Sequence, residues 1–324
     1  MKRVVGILFF LFIHLVANGQ QLPIYSQYLF NKFLVNPAVA GSDGYTSHNI
    51  TARQQWVGYV YAPKTYSFSS QMRLLKRGFA IRQRANRQVL RPSTDGRVGL
   101  GTNIFSDKNG LIRRTGFEFS YAYHTWVQSE TQLSFGLSFT GVHFRIDEEL
   151  INFENPDDPW LNNSLRKGVF IPDAKFGIYL LNRKFSVGLS ADQLFESVAK
   201  IGNTYHEELK INRHYYLFGS YIFDLNYQDQ LEPSFMFSIS EDLSPSADIG
   251  LIFNHNQTFW GGLSYRTGGA IIAIAGAKYE NVFFGYSFDF TMEEIQRVTF
   301  GTHEFTMALK FGDSSRRYRW LDRY

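Results

Sequence analysis

The feature that most constrains this chain is a two-residue rhythm of greasy and polar side chains. From Val282 to Phe290, the residues Val282, Phe284, Tyr286, Phe288 and Phe290 alternate with Phe283, Gly285, Ser287 and Asp289. From His303 to Phe311, Phe305, Met307, Leu309 and Phe311 alternate with Glu304, Thr306, Ala308 and Lys310. Successive side chains of a strand point to opposite faces, so these runs predict strands with one apolar face. A strand of a lipid-embedded barrel needs apolar residues only at alternate positions, because its other face meets a lumen that can be polar. Mean hydropathy can therefore stay low, and it is -0.22.

Strand-like runs fall near 46–56, 65–75, 97–106, 114–127, 131–145, 172–181, 185–192, 213–224, 231–240, 246–255, 258–266, 269–279, 282–290 and 303–311. That makes fourteen, and an even number returns both ends of a barrel to one side of the membrane. With the first strand running outward, the links after even strands are short: 128–130, 182–184, 225–229, the stretch at Asn256 and Gln257, and Glu280-Asn281. Links after odd strands include the long 146–171, 193–212 and 291–302. Short turns on the inner side and longer outer loops are the barrel pattern. Lys76 to Gly96 breaks it, being long where a turn should be tight, so it is either an insertion or a slip of register. A soluble β-sandwich would also alternate. The small, polar opposite face, as in Ser134, Gly136, Ser138 and Thr140 against Leu133, Phe135, Leu137 and Phe139, favours an all-β transmembrane antiparallel barrel of about 14 strands.

Residues 1–20 read as an export signal: Lys2 and Arg3, the apolar stretch Val4 to Ala17, then Ala17-Asn18-Gly19 before a cleavage near Gln20 or Gln21. The apolar stretch is too short to span as a helix, which takes about 20 residues. The chain has no cysteine, which removes disulfide scaffolds, thiolate metal sites and thiol nucleophiles. Charge is nearly balanced, with 33 basic and 29 acidic residues, so no nucleic-acid partner is implied. No linker composition divides the rest, and 46–311 reads as one closed unit.

Residues 21–45 do not read as barrel wall. Pro37 lacks a donor and biases Asn36 toward extended geometry, and Gly41 and Gly44 follow. Tyr25, Tyr28, Phe30, Phe33 and Tyr45 need cover, while Ser26, Gln27, Asn31 and Asn36 need hydrogen-bond partners. The lumen supplies both, so a plug-like segment is expected there. In Arg53-Gln54-Gln55-Trp56, Arg53 and Gln55 share one strand face, opposite Gln54 and Trp56. An inward Arg53 requires a carboxylate, for which Glu118 and Asp289 are candidates, or else contacts a ligand. Lys76, Arg77, Arg82, Arg84, Arg87, Arg91 and Arg97 face only Asp95 in their stretch, which makes it a solvated loop or a dock for acidic protein or anionic lipid. Residues 312–324, with Arg316, Arg317, Arg319, Arg323, Trp320 and Tyr324, form a basic aromatic tail and a second candidate docking element.

Catalysis finds no support in the pattern. Ser120 and His124 share a strand face but stand roughly 14 Å apart at about 3.4 Å per residue, beyond proton transfer. His303 and Glu304 point to opposite faces, and no spacing suits a metal. The acids Glu148, Glu149, Asp157 and Asp158 lack a calcium-loop spacing, and no phosphate loop leads from a strand into a helix. No catalytic residue, cofactor or metal is expected.

The mature N-terminal blocks resemble one family in particular. Tyr25-Ser26-Gln27-Tyr28-Leu29-Phe30-Asn31, Val35-Asn36-Pro37-Ala38-Val39-Ala40-Gly41-Ser42, Arg53-Gln54-Gln55-Trp56-Val57-Gly58 and Ala62-Pro63-Lys64-Thr65 are similar to the opening of PorP/SprF outer-membrane proteins. Further matches run through Val98-Gly99-Leu100-Gly101, Tyr121-Ala122-Tyr123, Val187-Gly188-Leu189-Ser190 and Tyr286-Ser287-Phe288-Asp289, while 76–96 departs from the pattern. The resemblance implies an accessory of type IX secretion and gliding in the outer membrane, assisting export or surface attachment of cargo. Implied partners are outer-membrane lipid, other components of that machinery, a peptidoglycan-associated periplasmic protein, and the C-terminal domain of a cargo or adhesin. Residues 21–44 then have a second reading, as a surface offered to a secretion partner. A porin or hydrophobic-compound transporter and, more remotely, a barrel enzyme remain alternatives from other classes.

Overall fold

The computed structural model describes residues 25–74, 96–128, 130–146, 168–195, 198–200, 208–210, 212–241 and 245–311. The expected export signal, the 312–324 tail and the basic residues Arg82, Arg84 and Arg87 lie outside them.

Fourteen antiparallel strands close into a barrel. They are β1 (Thr46–Gln54), β2 (Lys64–Leu74), β3 (Val98–Asn109), β4 (Ile112–Gln128), β5 (Thr131–Ile146), β6 (Val169–Asn182), β7 (Phe185–Asp192), β8 (His214–Tyr221, extended by Phe223–Asp224), β9 (Asp229–Ser240), β10 (Pro245–His255), β11 (Phe259–Arg266), β12 (Ala270–Tyr279), β13 (Val282–Thr291) and β14 (Thr302–Phe311). Each pairs with its sequence neighbour, and β14 closes on β1 from Thr46↔Phe311 to Gln54↔His303. Closure satisfies every sheet edge within hydrocarbon, where water cannot.

The alternation sets the two faces. Phe135, Leu137 and Phe139 are exposed outward, whereas Ser134, Ser138 and Thr140 are buried inward. The same split runs through β13 and β14, with Phe284, Phe290 and Phe305 outside and Ser287, Asp289, Glu304 and Thr306 inside. All fourteen strands read from the sequence are present, with ends shifted by a few residues. β1 stops at Gln54, so Gln55 and Trp56 belong to a turn instead, and Trp56 takes a left-handed φ of 51°. The link between β7 and β8 contains a small hairpin, Val198–Lys200 with Glu208–Lys210, and the link before β14 contains a 3-10 turn, Glu294–Val298. β2 and β3 pair without interruption from Leu74↔Val98 to Lys64↔Lys108. Register therefore does not slip at the long 75–97 link, which leaves the end of the barrel where the other turns are tight.

The two rims differ. At the short-turn end the hairpins finish nearly level. At the long-link end β4, β5 and β6, of 17, 16 and 14 residues, extend well past β1, β7 and β14, of 9, 8 and 10. The mouth at that end has one tall side.

Candidate functional site

The lumen is occupied by the chain's own residues 25–44. They form two short 3-10 turns, Lys32–Leu34 and Pro37–Val39. Asn36 starts the second turn by accepting from Ala38 N at 2.8 Å, and Pro37 sits at its first position, where no donor is missed. Phe33, Asn36, Ala38 and Ala40 are fully buried.

The segment runs the length of the lumen. Its start is fixed near the long-link rim. There Glu304 accepts from Ser26 N and Gln27 N, both at 2.9 Å, and Asp289 accepts from Ser26 Oγ at 2.6 Å. Arg53 completes the cluster, reaching Asp289 at 2.9 Å, Glu304 at 3.0 Å and Ser26 Oγ at 2.7 Å. Its end lies near the opposite rim, where Ser42 O accepts from Gln132 Nε2 at 3.2 Å and Gly41 N donates to Gln71 at 3.2 Å. Between these ends, Asn31 donates to Ser69 at 2.9 Å. Asn36 Nδ2 donates to the carbonyls of Ile178 and Leu189 at 2.9 and 3.1 Å. Those carbonyls sit on β6 and β7, half a circuit from β13 and β14.

Arg53 thus pairs with Asp289 but not with Glu118. Glu118 lies on β4, three strands away, and holds Lys175, at 3.3 Å, which also reaches Asp192 at 3.1 Å. The second carboxylate at Arg53 is Glu304, which the sequence reading considered only beside His303 as a failed metal pair. Its inward parity with Thr306 on β14 was the available signal. A buried guanidinium needs this kind of multiple partnering to offset its desolvation.

Inward glycines admit the segment. A Cβ on Gly177 would come within 2.0 Å of Asn36 Oδ1, on Gly136 within 2.2 Å of Ala38 N, on Gly99 within 1.9 Å of Ala40 O, and on Gly101 within 2.5 Å of the Phe33 ring. Gly41, at φ +67°, faces the Met72 carbonyl at 2.6 Å in the same sense. One void of about 20 Å³, lined by Tyr28, Phe30, Ile252 and Trp260, is room for about one water, and a recess of about 70 Å³ opens near Lys32, Asp43 and Lys310.

Other residues singled out in the sequence have structural roles at the rim or in the lumen wall. Trp56 N donates to Thr302 Oγ1 at 3.2 Å and Gln55 N to Pro63 O at 2.9 Å, in a rim turn that clasps the strand end before β14. Ser120 bonds Ser138 and Glu118, while His124 bonds Ser134 and the Ala40 carbonyl, so each serves packing. Among the described residues no group of acids and histidines could hold a metal ion.

A family model described as type IX secretion system membrane protein PorP/SprF matches residues 17–309. The chain belongs to that family. Its members are membrane proteins of type IX secretion by this description, which agrees with the outer-membrane barrel architecture seen here. Among solved structures, the Acinetobacter baumannii outer membrane protein Omp33 is similar at 6% identity and TM-score 0.45, over 83% of this chain and all of that one. A Pseudomonas aeruginosa FadL homologue is similar at 8% identity and TM-score 0.45, over 91% and 96% of the two chains. The Pseudomonas putida toluene transporter TodX matches at 7% identity and TM-score 0.43, over 86% and 91%. Likeness at this level carries nothing about cargo or substrate. No curated protein matches the chain.

Proposed function

We propose that this PorP/SprF protein assists export or cell-surface attachment of type IX cargo by docking proteins at its rims, and that nothing is conducted through its lumen. The observation that carries this reading is the lumen filled by residues 25–44, seated against glycines and bonded to opposite walls. With the interior occupied by the protein's own chain, the surfaces left for partners are the two mouths. At the short-turn end the 75–97 link and the C-terminal tail add basic sequence, suited to an acidic, peptidoglycan-linked partner. At the other end the long links suit the C-terminal domain of a cargo or adhesin. The family and this division of surfaces support an export role over the porin or transporter alternative, and no arrangement of described residues supports catalysis.

Two measurements test it. Deleting the gene should leave particular cargo unsecreted or released from the surface; unchanged secretion and retention of all cargo would end the proposal. In planar bilayers the intact protein should show no large open-channel conductance, whereas a variant lacking residues 25–44 should conduct. Large conductance by the intact barrel would favour a porin.

A further inference from the structure

Three polar side chains stand in one row within the lipid-facing surface. Ser70 on β2 lies directly opposite His48 on β1 and, on its other side, Thr102 on β3. Their outward direction follows from parity, because Ser47, Asn49, Ser69, Gln71 and Asn103 beside them are buried inward. The row is not the edge of the apolar band. Along β2 it has the exposed Phe68 and Tyr66 on one side and Met72 and Leu74 on the other, and on β3 Thr102 stands between Leu100 and Ile104. The His48 ring lies against Phe68 and Phe311, at 6.4 and 6.0 Å between centroids, and no described residue hydrogen-bonds its nitrogens or the two hydroxyls. Acyl chains cannot bond them either.

A second anomaly lies on the same sector, at the long-link rim. Tyr59, Val60 and Tyr61 in the turn between β1 and β2, with Val298 and Phe300 in the link before β14, are each more than half exposed. The two loops are locked together, Phe300 N donating to Val57 O at 2.7 Å and Val57 N to Gly301 O at 2.8 Å. Clustered apolar surface of this kind marks an interaction site. A partner that covers both the rim cluster and a polar row inside the apolar band must itself cross the membrane. We propose that β14, β1, β2 and β3 form a lateral interface for the transmembrane wall of a different protein, one that carries hydrogen-bonding side chains at the depth of the row. A second copy of this chain does not fit. Barrel strands tilt by about 40°, so the row climbs about 3 Å per strand, whereas a two-fold axis normal to the membrane brings equal depths together. At most one member of the row would meet its counterpart. This face is additional to the two mouths, and its failure would leave docking there untouched.

The test uses the full-length tagged protein in its own outer membrane. A photo-crosslinking amino acid replaces Phe68 or Ile104, beside the row, and the exposed Leu251 or Leu263 on β10 and β11 as controls. Adducts are expected beside the row and not at the controls, with a protein that stays in the membrane through carbonate extraction. The fraction of barrel held in that complex is then read on native gels over serial dilution in mild detergent. His48→Leu, Ser70→Ala and Thr102→Val should each weaken it roughly threefold, the ~0.6 kcal/mol typical of a side-chain hydrogen bond between membrane segments, and roughly 20-fold together. A second readout separates loss of partner from loss of fold. In phosphatidylcholine nanodiscs, without other proteins, the triple variant should unfold at the same urea concentration as wild type or higher, since apolar groups replace unbonded polar ones. Equal adducts on both walls, adducts with a second copy of the chain only, an undiminished complex in the triple variant, or a lowered urea midpoint in nanodiscs overturns the proposal.

Discussion

The two ends of the lumenal segment are held by different physics. At Ser26 and Gln27 the grip is electrostatic: one guanidinium and two carboxylates, all buried, share hydrogen bonds with the segment. From Asn36 to Ser42 the grip is mainly shape, with wall glycines admitting the backbone, neutral hydrogen bonds setting register and one guanidinium, Arg73, reaching Ser42 O at 3.4 Å. The charged end is sensitive to losing one partner, because the remaining charge stays buried and uncompensated. The shaped end is sensitive to added atoms instead.

That contrast can be broken by substitution, in order of expected effect. Arg53→Met should cost about 3–5 kcal/mol in urea unfolding, while the triple change Arg53→Met, Asp289→Asn and Glu304→Gln should cost less than the single one. A triple variant worse than Arg53→Met would show that charge balance is not what holds this end. Gly136→Val or Gly177→Val should cost about 1–3 kcal/mol each through overpacking, and a neutral outcome would mean that the segment is loosely seated. Asn36→Ala removes two bonds to the β6 and β7 carbonyls and the turn cap, for about 1–2 kcal/mol. Ser26→Ala should be smallest, about 0.5–1.5 kcal/mol, with Gln27 and the Ser26 amide still anchored. If Ser26→Ala exceeded Arg53→Met in the same assay, the two-ended picture would fail.

The wall was legible in the sequence because its signal is local. Alternation along each run, as in β5 and β13, states both strand and facing, and the even count with unequal links states closure. Asn36 and Pro37 likewise marked a segment that could not be wall. Less was legible where contact partners are far apart in the chain. Arg53 showed its need for an acid, but choosing Glu304 over Glu118 requires knowing that β14 closes beside β1. Turn geometry was the other blind spot: Gln55 and Trp56 continue the alternation of β1 yet leave it, with Trp56 in a left-handed conformation that no periodicity announces.

The hydrogen bonds of Ser26 and Gln27 to β13 and β14, and of Asn36 to β6 and β7, have a mechanical consequence. An empty ring of strands ovalises under sideways load, whereas one tied across its diameter resists. Force applied at one mouth would therefore reach the other through a braced cylinder instead of being lost in flattening the wall.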